Sequence, residues 1–286
     1  MDDDHGLFGP DSVTWRIHTD PVMWVAAFYA LSVQSLHPPT MWGTWQHSKL
    51  FDRKLAMARL LRTGDFVAVR TFGSLAEVDQ AGRRVRGIHA RLRGTNPETG
   101  AEFRIDEPEN LRWVHCGEIT AYLRVAQRAG VPLTDADANA YVDEQRRSAA
   151  VVGLDPAWVP GSVAELDDYF QSMLPVLRLT DEAKAAIRMW ANTPAPVRLA
   201  PLKVIYPAFA ALSLALLPGW ARRLYGLPSG DFAPADAVLS SGATATLQAT
   251  RMAMLAAPER YRGTELQMRY IAPARQLMRA ERLSAA

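Results

Sequence analysis

The sequence predicts an all-α chain folded as a single multi-helix domain. Three observations carry this. Helix caps and helix-type apolar spacing recur along the chain, no run of alternating apolar and polar residues marks a strand series, and no long low-complexity linker divides it. At 286 residues with 49% apolar composition, the chain can bury one sizeable core.

The elements follow in order. Residues 1–19 read as a mobile N-terminal segment that includes His5 and His18. Asp20-Pro21 is a cap followed by proline at the first helical position, opening a helix over Val22 to Gln34. His37-Pro38-Pro39 stops it. Phe51 to Arg62 reads as a second helix, ending at Thr63-Gly64. Asp65 starts a third, which carries Val85 to Arg93 and ends at Gly94. Asn96-Pro97 and Gly100 mark residues 94–106 as a loop with room for a short hairpin.

The next helix runs from Glu109 to Ala129 and closes at Gly130. Thr134 caps a helix over 135–152, and Ser162-Val163-Ala164-Glu165 is a capping box. Further helices fit 181–192, 199–217, 235–257 and 264–282. The main domain spans residues 20–262, with a C-terminal helix or tail over 263–286. Val204 to Ala221 is uncharged and mostly apolar, but Pro207, Ser213 and Pro218 interrupt it, so it reads as a core helix that leaves room for peripheral membrane contact.

Bulk chemistry removes several functions. A formal charge of +2 argues against a nucleic-acid partner. Arginine supplies 28 of the 32 basic residues, which favours bidentate clamps on carboxylates. Cys116 is the single cysteine, so neither an internal disulfide nor a cysteine zinc site can form, in keeping with a reducing cytoplasm. The opening Met-Asp-Asp-Asp-His lacks the basic and apolar regions of a secretory signal. There is no Walker loop, G-x-G-x-x-G or G-x-S-x-G motif.

The segment Arg86-Gly87-Ile88-His89-Ala90-Arg91-Leu92-Arg93 holds the main candidates. At about 100° per residue, Arg86, His89 and Arg93 share one helical face within about 60°. Val85, Ile88 and Leu92 form an adjoining apolar stripe. His89 then sits between apolar side chains and two cations. Taken alone, the same spacing describes a partly buried histidine beside a solvated charged face. Upstream, Arg59 and Thr63 lie one turn apart on one face. Alone they are a surface arginine and a threonine near a helix end.

Together, R-x-x-x-T followed a helix later by R-x-x-H-x-x-x-R resembles the rubber oxygenase (latex clearing protein) family, which shares its catalytic domain with the endoplasmic-reticulum-bound oxygenase of mycophenolic acid biosynthesis. Other segments agree in order: His37-Pro38, Asn96 to Gly100, Trp113-Val114-His115, and Leu217 to Arg222. The resemblance spans residues 20–228. It implies a globin-like haem-binding core, haem b with His89 as its proximal iron ligand, and Arg86 and Arg93 supporting the haem or its propionates. It places Arg59, Arg62 and Thr63 on the distal side, Arg59 and Thr63 as catalytic residues. The implied function is an oxygenase using dioxygen and an unidentified electron donor on a hydrophobic small molecule, by alkene cleavage or oxygen insertion. One departure stands out: the family's rubber-cleaving members use a carboxylate base above the haem, and the matching Trp42 to Ser48 has no acidic residue.

Two other readings share these residues. A non-catalytic haem sensor or carrier would keep His89 and the arginines and cap the iron with a second side chain such as His47. A helical interaction or peripheral membrane protein would need no cofactor.

Overall fold

The computed structural model describes residues 4–52, 54–191, 202–229, 233–259 and 262–284. Its helices, in order, are α1 (Val13–His18), α2 (Met23–Gln34), α3 (Pro38–His47), α4 (Ala56–Phe72), α5 (Leu75–His89), α6 (Pro108–Arg128), α7 (Asp135–Val151), α8 (Val163–Met173), α9 (Asp181–Ala191), α10 (Leu202–Leu216), α11 (Gly219–Leu224), α12 (Ala233–Ala256) and α13 (Glu265–Ser284). Two short strands, β1 (Arg93–Thr95) and β2 (Glu102–Arg104), pair antiparallel with Gly94 opposite Phe103. The expected all-α single domain is what forms. Among the described residues no helix is long and apolar enough to cross a membrane.

The core is built on α2. Its apolar residues point all round, the mark of a central helix, and Val25, Ala26, Tyr29 and Val33 are buried. It packs against α6 and α10. Trp113 of α6, fully buried, donates from its indole nitrogen to the Gln34 carbonyl at 3.0 Å, and Gln34 returns a bond to the Val114 carbonyl at 2.9 Å. Cys116 lies in this packing, and burial pushes its thiol up to about 12.

Several boundaries differ from the sequence reading. α2 ends at Gln34 as expected before His37-Pro38-Pro39, but these residues also open a new helix: His37 is the extended cap of α3 and the prolines occupy its first turn, where a missing N–H costs nothing. The expected break at Thr63-Gly64 is absent. α4 runs through it because Gly64 allows a close approach: a Cβ there would lie 2.6 Å from Gln267 Nε2 of α13. Asp65 reinforces that contact, accepting from Thr264 Oγ1 at 2.7 Å and Gln267 Nε2 at 3.0 Å. The break falls instead at Gly73-Ser74, where Ser74 and Glu77 form a complete capping box for α5.

α5 ends at His89, four residues short of the expected Arg93. The Leu92 N–H still reaches the His89 carbonyl at 3.1 Å, but Arg93 then opens β1. Pairing wins because Gly94 sits under the Phe103 ring, where a Cβ would meet ring carbons at 2.3 Å. Gly100, at φ +74°, closes the hairpin.

α1 lies within the N-terminal segment and packs on α7. Glu144 of α7 caps it, accepting from the Val13 N–H at 3.1 Å, the Thr14 N–H at 2.8 Å and the Thr14 hydroxyl at 2.6 Å. A carboxylate at a helix N-terminus meets both unpaired N–H groups and the favourable end of the dipole.

A buried polar cluster joins α1, α4, α6 and α7. Arg70 (3% exposed) forms a two-pronged ion pair with Glu118 (20% exposed). Burial pushes the Glu118 carboxyl up, but the charge and hydrogen bonds of Arg70 outweigh it and hold the group below its ordinary value. His18 stacks on Tyr122 at 4.3 Å, meets the Tyr141 hydroxyl at 3.0 Å through Nε2, and the Thr71 hydroxyl at 3.2 Å through Nδ1. Burial, and then the nearby Arg70 charge, lower His18 to about 3. His115 is lowered to about 4, chiefly by burial.

Two predictions follow from this cluster. Removing one partner of a buried pair strands the other charge, so Glu118→Ala should destabilise by about 3–5 kcal/mol in denaturant unfolding, and Arg70→Met with Glu118→Leu should recover most of that. Because His18 and His115 are neutral when folded but protonate near pH 6.5 when unfolded, the unfolded chain binds more protons below that pH. Stability should fall as pH drops from 6.5 toward about 4, by up to about 1.4 kcal/mol per unit for each histidine. A thermal-unfolding series that stays flat over this window would rule this out.

Candidate active site around His89

α4 and α5 pack against each other as a helical hairpin joined at Gly73-Ser74. The Arg59 charge acts on His89, so the start of α4 lies near the end of α5. Arg59 belongs to the first turn of α4, Thr63 is one turn on, and His89 is the last residue of α5.

The imidazole of His89 is half-buried, and its Nδ1 is buried with no hydrogen-bond partner. Burial lowers its proton affinity, the Arg59 charge lowers it further, and Asp106 opposes both. His89 is therefore neutral at neutral pH, with a nitrogen that the described residues do not claim. Ile88 beside it is 49% exposed. Arg59 donates to the Thr63 hydroxyl, which in turn donates to the Arg59 carbonyl at 3.1 Å. Thus the structure brings Arg59 near His89, with Thr63 bonded to Arg59 one turn farther along, at the middle of α4.

The two other arginines diverge. Arg86 turns toward α7, where its Nη1 donates to the Val151 carbonyl at 2.7 Å. The space for it is left by Gly82, whose Cβ would lie 2.9 Å from both the Val151 carbonyl oxygen and Arg86 Nη1. Arg93 is exposed and donates to the Ala90 and Leu92 carbonyls, both at 2.9 Å, fastening the turn between α5 and β1. The helical face expected for Arg86, His89 and Arg93 is corrected accordingly: Arg93 lies outside the helix. Among the described residues, Arg59, Arg86 and Arg93 enter no ion pair.

Sequence reasoning missed Asp106. It precedes α6, pairs with Arg104 at 2.8 Å, and is the carboxylate whose field reaches His89. The run Asp106-Glu107-Pro108 was a usable signal, since acidic residues gather where a helix begins. His47, considered as a second iron ligand, is the last residue of α3 and its Nε2 meets the Arg93 carbonyl at 2.7 Å. His37 meets Thr40 at 2.9 Å, and burial lowers it to about 4.

Among the described residues no group of three or more His, Cys, Asp and Glu side chains converges. The chemistry this place offers is one neutral imidazole nitrogen, a hydroxyl, and cationic donors without carboxylate partners. That set suits a prosthetic group needing a single protein ligand and counter-charges for anionic substituents.

The family model described as "ER-bound oxygenase mpaB/B'/Rubber oxygenase, catalytic domain" matches residues 15–256. No curated protein and no solved structure matches the chain.

Arg86 tests the packing side of this geometry. Arg86→Met keeps the aliphatic stem but leaves the Val151 carbonyl without its donor. It should lower stability by about 1–2 kcal/mol in denaturant unfolding, with no loss of helix by circular dichroism.

Proposed function

The chain belongs to the ER-bound oxygenase and rubber oxygenase catalytic-domain family and is thus an oxygenase domain, and on that premise we propose that it is a haem b-dependent oxygenase acting with dioxygen on a hydrophobic small molecule. His89 is the iron ligand in this reading. The observation that carries it is the unclaimed, buried Nδ1 of a neutral imidazole beside Arg59, which enters no ion pair among the described residues. These residues fit a haem: an imidazole supplies the axial ligand, and guanidinium groups answer the propionates. When bound, the haem would supply the dioxygen chemistry.

The chain's residues have separable tasks. Burial and Arg59 keep His89 unprotonated, so no proton has to be displaced when it binds metal. Arg86 spends Nη1 on the Val151 carbonyl, and a guanidinium with five N–H donors keeps others for a propionate. The Arg93 side chain donates through Nη1 to carbonyls of its own exposed turn, and its other N–H donors remain for an anionic partner. Arg59 and Thr63, bonded to each other, offer donors to an oxygen atom or to substrate. Trp42–His47, the second part of α3, has no acidic residue, which favours a hydrophobic small molecule over rubber as substrate. The bond from His47 to Arg93 engages the side chain that a carrier would use to cap the iron, and so favours the oxygenase over a non-catalytic haem protein.

Expression with a haem precursor tests this reading. The protein should show a Soret band, and His89→Ala should lose it while keeping its helical content. A full, unaltered Soret band in that variant excludes His89 as the ligand. Arg59→Ala and Thr63→Val should retain haem and slow substrate turnover at least tenfold, whereas a carrier would show no substrate-dependent oxygen uptake at all.

A further inference from the structure

Away from His89, a cavity of about 250 Å³ opens between α1, α12 and α13. Its position is fixed by a small apolar cluster in which Trp15 packs with Phe72, Ala274 and Met278. Phe72 ends α4 and Arg59 begins it, so the cavity and His89 are separated by most of a 17-residue helix.

The cavity is lined by Arg16, Asp20, Arg275 and Arg279, with Leu255 and Met278 as its apolar wall. Two of its arginines carry buried nitrogens with no hydrogen-bond partner, Arg16 Nε and Arg275 Nη1. Both guanidinium groups are held at other nitrogens. Arg16 pairs with Asp137, and Arg275 donates twice to the Thr19 carbonyl. Glu259 is 3.6 Å from Arg275 Nη1, within ion-pair range but not hydrogen-bonded to it. Asp20 is already held by Arg251 at 2.7 Å.

The charges do not balance. Among the described residues, the lining and the groups it pairs with or feels comprise five arginines (Arg16, Arg251, Arg262, Arg275 and Arg279) and three carboxylates (Asp20, Asp137 and Glu259). Arg262 is spent on the Ala257 and Leu255 carbonyls, which satisfies its donors but not its charge. Burial, and then the charge of Arg262, lower the proton affinity of Arg275, and the charges of Glu259 and Asp20 offset only part of this. Arg279 enters no ion pair among the described residues, so its donors and charge remain for an oxyanion. The apolar wall of Leu255 and Met278 adds a preference that inorganic ions cannot satisfy.

We propose that this cavity is a binding site for a small organic carboxylate, its oxygens on Arg275 and Arg279 and its aliphatic part against Leu255 and Met278. The site is separate from the oxygenase centre and does not depend on how that centre works.

Isothermal titration of the full chain tests it with sodium hexanoate, sodium acetate and inorganic phosphate. Hexanoate should bind saturably, at least tenfold more tightly than acetate or phosphate, because its methylene groups leave water for the apolar wall of Leu255 and Met278. Arg275→Gln and Arg279→Gln should each weaken hexanoate at least tenfold, and Leu255→Asp should abolish its binding. Arg279 is exposed, so its variant keeps the test decisive if Arg275→Gln fails to fold. Absence of saturable binding, equal affinity for acetate or phosphate, or hexanoate affinity unchanged in Arg279→Gln would each overturn the assignment.

Discussion

The buried pair of Arg70 and Glu118 is the constraint on which the geometry of the rest depends. Charges inside a helical core survive only when paired and hydrogen-bonded, and here the partner of an α4 residue stands on α6. That fixes the rotation of α4. Arg59, Thr63 and Arg70 fall within about 40° of one another around the helix, so the pair that turns Arg70 toward α6 also turns Arg59 and Thr63. The surrounding groups conform to it. His18 and His115 remain neutral where a cation is already present, and the Tyr141 and Thr71 hydroxyls satisfy the His18 ring.

Local geometry finishes what the ion pair begins. The α4–α5 connection is tight enough that a Cβ on Gly73 would lie 2.6 Å from the Val69 carbonyl oxygen. The N-terminal arm packs over this turn, with Asp4 accepting from the Leu75 N–H at 2.9 Å and Gly6 at φ +70° where a Cβ would overlap the Gly73 carbonyl. At the other end the β hairpin stops α5 at His89, so no further helical turn covers the imidazole. A helix continuing to Arg93 would have placed a turn of backbone beside His89. The hairpin thus positions the histidine, although it contributes none of the donors.

The fold was legible in the sequence because its signals are local. Thr134 with Asp137 caps α7, and Ser162 caps α8, and apolar spacing alone marks α2 and α6. Errors arose where a distant contact overrides a local preference. Gly64 looks like a helix end until Gln267 is seen against it, and Pro38-Pro39 reads equally as a stop or a start. For the site, Arg59, Thr63 and His89 were legible as a family-like order, since their types and spacing are written in the chain. The directions of Arg86 and Arg93 were not. They depend on Val151, 65 residues away along the chain, and on a strand pairing decided by the fit of Gly94 under Phe103.

Arginine abundance, which in composition says little, resolves into distinct uses once each guanidinium is placed. Arg70 is a counter-charge in the core. Arg128 reaches the Leu216 carbonyl at 3.2 Å and the Ser240 carbonyl at 2.7 Å, holding α6, α10 and α12 together, and Arg86 does the same for α5 and α7. Each of these needs a planar fork with several donors, which lysine lacks. Bonds to carbonyls satisfy hydrogen-bonding capacity without cancelling charge. A fold fastened in this way carries uncompensated positive charge wherever arginines outnumber carboxylates locally. Beside His89 and again between α1 and α13, that surplus stands next to apolar surface, and both proposals rest on this combination: haem propionates at the first place, a carboxylate with an aliphatic tail at the second.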